Sequence, residues 1–206
     1  MLSCPWSEFS FGPFTRTAGG EDLTRLYTRT GDRGETGLAG GARIAKEAPR
    51  IRTYGTFDEL GAHLGLAESF LPAEAAEIAQ LLVRLQHELF LAQAELATPP
   101  TSKGASHRIE ARHVAGLEQE IDRFSSTFEP VHTFVLPRGS KAGAALHVAR
   151  TVARRAEREL WRLHRVEPQR PELLQWANRL SDLLFALALS TNRREDVREI
   201  PPDYSV

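Results

Sequence analysis

The chain has 206 residues, of which 41% are hydrophobic and 26% charged, enough apolar content for one large buried core or two small ones. A net charge of -1 argues against a nucleic-acid or anionic-membrane partner, and no stretch approaches the ~18 consecutive apolar residues that a membrane helix requires. The single cysteine, Cys4, excludes an intramolecular disulfide framework and a Cys-based zinc site, and fits a reducing cytoplasm.

Residues 1–25 lack the basic start and apolar stretch of a secretory signal, and they carry Glu8, Glu21, Asp22 and the pair Gly19-Gly20. They read as a poorly ordered leader. Residues 28–46 are glycine-rich and polar without helical periodicity, which predicts loop. From Thr56 onward the pattern is helical. Thr56-Phe57-Asp58-Glu59 has the spacing of a capping box, so a first helix is expected over about residues 56–69, ahead of Pro72.

A second helix is expected over residues 73–97, with Ile78, Leu81, Leu82, Leu85, Leu89 and Ala92 at core spacing, ended by Pro99-Pro100. A third, over residues 109–125, places Val114, Leu117, Ile121 and Phe124 on one face. A short extended piece at residues 133–137 leads to a fourth helix over residues 140–164. A fifth covers residues 171–191, with Leu173, Leu174, Ala177, Leu180, Leu184 and Leu187 turned inward. Five helices with short connections and no internal repeat predict an all-α fold, a five-helix bundle. Residues 26–192 form its domain, and residues 193–206 read as a C-terminal tail.

Three segments carry residues suited to chemistry. In Thr28-Arg29-Thr30-Gly31-Asp32-Arg33-Gly34-Glu35-Thr36-Gly37, glycines allow backbone N–H groups to converge on an anion. Hydroxyls add donors, and Arg29, Arg33 and Lys46 add positive charge. Asp32 is placed to help hold magnesium through oxygen. The segment is no Walker loop, since GxxxxGK[ST] is absent, and its composition also suits a solvent-exposed turn.

In the fourth helix, Arg150, Arg154, Glu157 and Arg158 share one face at about 100° per residue. Ala142, Ala145, Ala149, Ala153, Ala156, Leu160 and Leu163 occupy the other. Such a run is commonly a solvated face. Arginines this close nevertheless repel one another unless an anion lies over them, and their planar forks suit carboxylate and phosphate. Asn178 and Asp182 lie one turn apart on the fifth helix and by themselves read as surface residues. Phe134, in Phe134-Val135-Leu136-Pro137, reads by default as a core aromatic. The seven histidines lack metal-ligand spacing, so no resident metal ligands are assigned, and there is no GxSxG elbow.

Four blocks in order, however, resemble the PduO-type ATP:cob(I)alamin adenosyltransferases. They are Tyr27-Thr28-Arg29-Thr30-Gly31-Asp32-Arg33-Gly34, Tyr54-Gly55-Thr56-Phe57-Asp58-Glu59-Leu60, residues 134–140 leading into Ala149-Arg150-Thr151-Val152-Ala153-Arg154-Arg155-Ala156-Glu157-Arg158, and Asn178-Arg179-Leu180-Ser181-Asp182-Leu183-Leu184-Phe185. The resemblance covers about residues 26–192 and implies a homotrimeric helical bundle with active sites between subunits. There ATP and magnesium meet cobalamin, and the product is adenosylcobalamin.

The resemblance implies that Thr28, Arg29, Thr30, Gly31, Thr36, Gly37 and Lys46 wrap ATP from one subunit. Arg154, Arg155, Glu157, Arg158 and Asn178 complete the nucleotide site from its neighbour, and Asp58 pairs with Arg150 across the interface. Phe134 lies against the lower face of the corrin ring. A reductase and an adenosylcobalamin-dependent acceptor enzyme are the further partners it implies. Two positions depart from the family pattern: Arg138 stands where glycine is usual, and Gly61 stands where asparagine is common. Both bear on the corrinoid more than on the nucleotide. Two other readings compete: a non-catalytic ATP-dependent module of the same fold that delivers a corrinoid, and a polyanion binder using residues 150–170. The second is disfavoured because Trp161 is the lone aromatic there.

Overall fold

A computed structural model describes residue 27, residues 29–99 and residues 107–205. Five helices dominate: α1 (Pro49–Glu68), α2 (Ala76–Ala97), α3 (Ala111–Ser125), α4 (Lys141–Val166) and α5 (Pro171–Arg194), with a single 3₁₀ turn, Ala73–Ala75, leading into α2. Among the described residues the fold is all-α apart from one small hairpin. The leader at residues 1–25 and Thr28 lie outside the described residues.

α4 is the central helix. It packs along both α1 and α5, while α2 packs on α1 and α3 on α5. The reason is in its composition, because Ala142, Ala145, Ala149, Ala153 and Ala156 are all buried and small side chains let two neighbours approach closely. α1 answers with small residues of its own. The buried Thr53 hydroxyl, 2.8 Å from the carbonyl of Pro49, also lies 3.3 Å from that of Glu159 on α4. The inward residues expected of α2 and α5 are buried, except that Leu174 is only partly so; on α3, Val114, Leu117 and Phe124 are buried and Ile121 is half-buried.

Some of the polar groups inside the bundle are matched across helices. The indole N–H of Trp176 donates to Glu88 at 2.7 Å, beside Phe57. Burial pushes the Glu88 carboxyl above its ordinary range, against the opposing pull of Trp176 and Arg84. The buried Arg50 guanidinium donates to the carbonyl of Leu96 and pairs with Glu167, so one side chain ties α1 to the end of α2 and to the α4–α5 connection.

Two expectations need correction. Helix α1 begins seven residues before Thr56, at Pro49, whose fixed φ and missing N–H suit a first helical position. Thr56 is therefore inside the helix and bonds back to the carbonyl of Arg52 at 2.8 Å. Residues 28–46 are not wholly loop. β1 (Glu35–Gly37) pairs antiparallel with β2 (Arg43–Ala45), Thr36 opposite Ile44. The turn between them needs Gly40 and Gly41, both at φ of 87°.

Beyond α5, Val197 N–H bonds the carbonyl of Asn192 at 2.8 Å, and the carbonyl of Ile200 accepts from Leu136 N–H at 2.8 Å. The residues beyond α5 lie over the α3–α4 connection, bordering a cavity lined by Phe128, Val131, Val135, Leu189, Arg193 and Pro201 among others.

Candidate active site

The hairpin forms an arm anchored on the end of α2, where Ala39 N–H donates to the carbonyl of Ala97 at 2.9 Å. Ahead of it, residues 29–34 turn tightly, with Asp32 N–H reaching the carbonyl of Arg29 and Gly34 N–H that of Gly31. Arg29 holds φ of 58° and stacks its guanidinium on Tyr27, 5.3 Å from the ring centre. Arg43 donates to the carbonyl of Thr30 at 2.6 Å, closing the turn onto β2.

Lys46 bonds through its backbone to Gly34, and its amine lies over Gly31, where a Cβ would come within 3.1 Å of Nζ. Gly31 thus leaves room for the Lys46 ammonium. Thr36 is half-buried and Gly37 exposed at the strand's end. Arg29, Thr30, Gly31, Thr36, Gly37 and Lys46 are therefore brought together on one arm.

On α4, Arg150, Arg154, Glu157 and Arg158 share a face, as their spacing requires. Asn178 on α5 donates from Nδ2 to Glu157 Oε1 at 2.9 Å and accepts at Oδ1 from Arg179 at 2.6 Å. Arg179 in turn reaches Glu118 on α3 at 3.0 Å. Glu157 and Asn178 are thereby held in one orientation across the α4–α5 seam. Desolvation pushes the neighbouring Asp182 carboxyl upward, with Arg179 pulling it down, Glu157 pushing it up and Arg154 pulling it down.

The cations differ in what they meet. Arg154 is exposed, and among the described residues its guanidinium has no hydrogen-bond acceptor or ion-pair partner. Arg158 donates to the backbone carbonyl of Arg154 at 3.3 Å. Arg155 faces the other way and pairs with Glu59 of α1, so the structure does not group it with Arg154 in a single chain. Arg150 lies 5.8 Å from the centre of the Phe185 ring, and its Nε is buried without an acceptor. Burial lowers its pKa, and Arg154 lowers it further. Asp58 is exposed on α1 and makes no ion pair with Arg150 here. No hydrogen bond or ion pair among the described residues joins the arm to the α4 arginines.

One neighbour was not picked out from the sequence. His147, one turn before Arg150, is 2% exposed, and neither ring nitrogen has a partner. Burial, reinforced by Arg150, holds its pKa down at about 4, so it is a neutral imidazole packed 6.1 Å from Phe185. Its place at i−3 from Arg150 was the available signal.

Phe134 is not a core aromatic. It is 81% exposed, and Leu136 beside it is also exposed, so the connection into α4 presents an apolar ring to solvent. Of the two departures, Arg138 is exposed and Gly61 packs against Leu89 of α2. Among the described residues no group of three or more His, Cys, Asp and Glu could hold a metal ion. No described helix is long and apolar enough to cross a membrane.

The described residues thus present a glycine-bearing arm carrying Lys46, an arginine face on α4 and an exposed aromatic ring. The cobalamin adenosyltransferase family model matches residues 26–191, and the chain belongs to that family. It is 38% identical over 178 residues to the corrinoid adenosyltransferase of Bacillus subtilis (strain 168), covering 85% of this chain and 91% of that one. It is 43% identical over 178 residues to one from Citrobacter freundii, covering 85% and 99%. A variant PduO-type ATP:corrinoid adenosyltransferase from Lactobacillus reuteri, solved with cobalamin and ATP, superposes with a TM-score of 0.82 at 33% identity, covering 86% of this chain and 99% of that one.

Proposed function

We propose that this protein transfers the 5′-deoxyadenosyl group of ATP to the cobalt of a cob(I) corrinoid, giving adenosylcobalamin and triphosphate, at sites completed between the subunits of a homotrimer. One observation carries the division between subunits: cationic groups are left without acceptors in a single chain. Among the described residues, Arg150 buries an unpaired Nε, Arg154 has no acceptor, and Asp58 is exposed on another helix. Leaving a buried donor unsatisfied costs about 1–3 kcal/mol, and an adjoining copy supplies what is missing. Asp58 of one copy meets Arg150 of the next, while the arm of one copy meets the α4 face of the other. The unit responsible is residues 26–192, acting in the cytoplasm.

In this reading Thr28, Arg29, Thr30, Gly31, Thr36, Gly37 and Lys46 hold the triphosphate from one side. Arg154 and Arg158 hold it from the other, with Arg155 joining once the neighbour displaces it from Glu59. Glu157 and Asn178, already fixed to each other, orient the nucleoside end. Asp32, exposed in the same turn, fits a magnesium ion that arrives on the phosphate oxygens, since such ions need only one or two protein carboxylates. The ion would neutralise phosphate charge.

Phe134 packs beneath the corrin and keeps a lower ligand off cobalt. Removing that ligand leaves a four-coordinate cob(II) centre that accepts an electron more readily, and a reductase supplies the electron. Cob(I) then attacks C5′. A cobalt–carbon bond forms, the C5′–oxygen bond breaks, and the electron pair leaves with triphosphate. Lys46 and the arginines stabilise the charge growing on that leaving group, and in-line placement of the two substrates supplies much of the remaining acceleration. No protein nucleophile is needed. The product passes to an adenosylcobalamin-dependent acceptor enzyme.

The test mixes protein, ATP, magnesium and chemically reduced cobalamin. Conversion to a light-sensitive alkylcobalamin supports the reading, and an unconverted cob(I) spectrum identifies a corrinoid-delivery module instead. Sedimentation velocity checks the trimer.

A further inference from the structure

Phe134 can exclude a lower ligand only if its ring is held at a defined height, yet at 81% exposure it has little packing to hold it. Its position must come from the backbone. Outside α4, among the described residues, three hydrogen bonds tie residues 133–140 to the rest of the chain. Leu136 N–H donates to Ile200 at 2.8 Å. The other two belong to one side chain, Asn192.

Asn192 lies in the last turn of α5 and is 0% exposed. Its Oδ1 accepts the Ser140 N–H at 3.0 Å, and its Nδ2 donates to the Arg138 carbonyl at 3.1 Å and to Glu199 Oε1 at 2.9 Å. Its own backbone carbonyl accepts from Val197. The single carboxamide therefore grips the Phe134 connection at two residues, Arg138 and Ser140, on either side of Gly139, and also the terminal segment that supplies Ile200. It fills the space left by two glycines, because a Cβ on either Gly139 or Gly143 would overlap it. Gly139 is at φ of 149°, a conformation that favours glycine. Ser140 completes the lock, since its hydroxyl accepts from Gly143 N–H at 3.1 Å and caps α4.

We infer that Asn192 is a positioning residue for the corrinoid half of the reaction, setting the height of Phe134 relative to α4 and α5. The inference rests on the role given to Phe134 above. An amide is required because the site needs an acceptor toward Ser140 and a donor toward Arg138 and Glu199 at once. Asn192→Asp keeps the first and places a second oxygen against a carbonyl and a carboxylate.

Asn192→Asp, Asn192→Asp combined with Glu199→Gln, Glu199→Ala and Phe134→Ala are compared with the parent, each checked by circular dichroism. Two quantities are read: the four-coordinate cob(II) spectral signature in the complex with ATP, and kcat against the KM for ATP. A displacement of about 1 Å at a reacting centre costs up to about 10²-fold. Asn192→Asp is therefore expected to lose most of the signature and about ten- to a hundredfold in kcat, with the KM for ATP within about twofold. Glu199→Gln in that background returns a donor to position 199 and recovers part of both. Glu199→Ala, in the terminal segment, weakens the signature in the same direction and carries the test should Asn192→Asp not fold. An unchanged signature in folded Asn192→Asp, or in Glu199→Ala when the former is unfolded, overturns the inference while Phe134→Ala abolishes it. If Phe134→Ala itself keeps the signature, the role of Phe134 fails and the inference falls with it.

Discussion

His147 provides a test of how burial controls charge beside the α4 arginines. Its imidazole is 2% exposed with no hydrogen-bond partner, and its pKa falls from 6.5 to about 4. The unfolded chain therefore takes up a proton as pH drops through 6.5, while the folded chain resists until about 4. Stability from the neutral imidazole is fully present above pH 6.5 and is lost progressively between 6.5 and about 4. At 1.36 kcal/mol per unit the limiting loss is about 3 kcal/mol, and at about pH 4.5 it reaches about 2.5 kcal/mol.

His147→Leu keeps the apolar contact with Phe185 and cannot titrate. Urea denaturation of both proteins at about pH 7.5 and about pH 4.5 separates this group from every other carboxylate and histidine, because those contribute equally to both. The parent is expected to lose about 2–3 kcal/mol more than the variant across that interval. At the higher pH the variant is expected to be as stable or more so, since two unpartnered buried nitrogens have gone. Parallel pH dependence in the two proteins would refute the assignment of a neutral, water-excluded imidazole.

Arg154→Ala is expected to reduce turnover at least about a hundredfold while leaving the assembly intact, because in one chain its guanidinium holds nothing that folding requires; steady-state kinetics with sedimentation checks both halves. Trp176→Phe removes the donor to Glu88 and leaves a buried carboxylate short of a partner, so a loss of about 1–3 kcal/mol in urea midpoint analysis is expected without change in the KM for ATP. The Glu88 carboxyl should titrate still higher in that variant, measurable by side-chain NMR, since the hydrogen bond that lowers it is gone.

The helices of this protein were legible because their buried faces repeat at the helical period. Ile78, Leu81, Leu82, Leu85 and Leu89, or Leu180, Leu184 and Leu187, declare a direction of burial whatever lies opposite. The start of α1 was not legible. Thr53, Gly55 and Thr56 are poor helix formers, and Thr56-Phe57-Asp58-Glu59 imitates a cap, yet contact with α4 overrides both and carries the helix back to Pro49. The hairpin was hidden for a different reason: each strand is three residues long, too short for alternation to register above a glycine-rich background.

Among the site residues, the sequence by itself determined that Arg150, Arg154, Glu157 and Arg158 share a face, since helical geometry leaves no alternative, and that Gly31 and Lys46 belong to one polar segment. Only the tertiary structure decided which of those groups are already satisfied. Among the described residues, Arg155 is paired within its own chain and Arg154 is not, Phe134 stands out from the core rather than in it, and the carboxamide of Asn192 closes over two glycines about fifty residues away in the chain. Periodicity is a property of one segment and its own backbone, whereas partners, exposure and desolvation depend on what other segments bring to the same place.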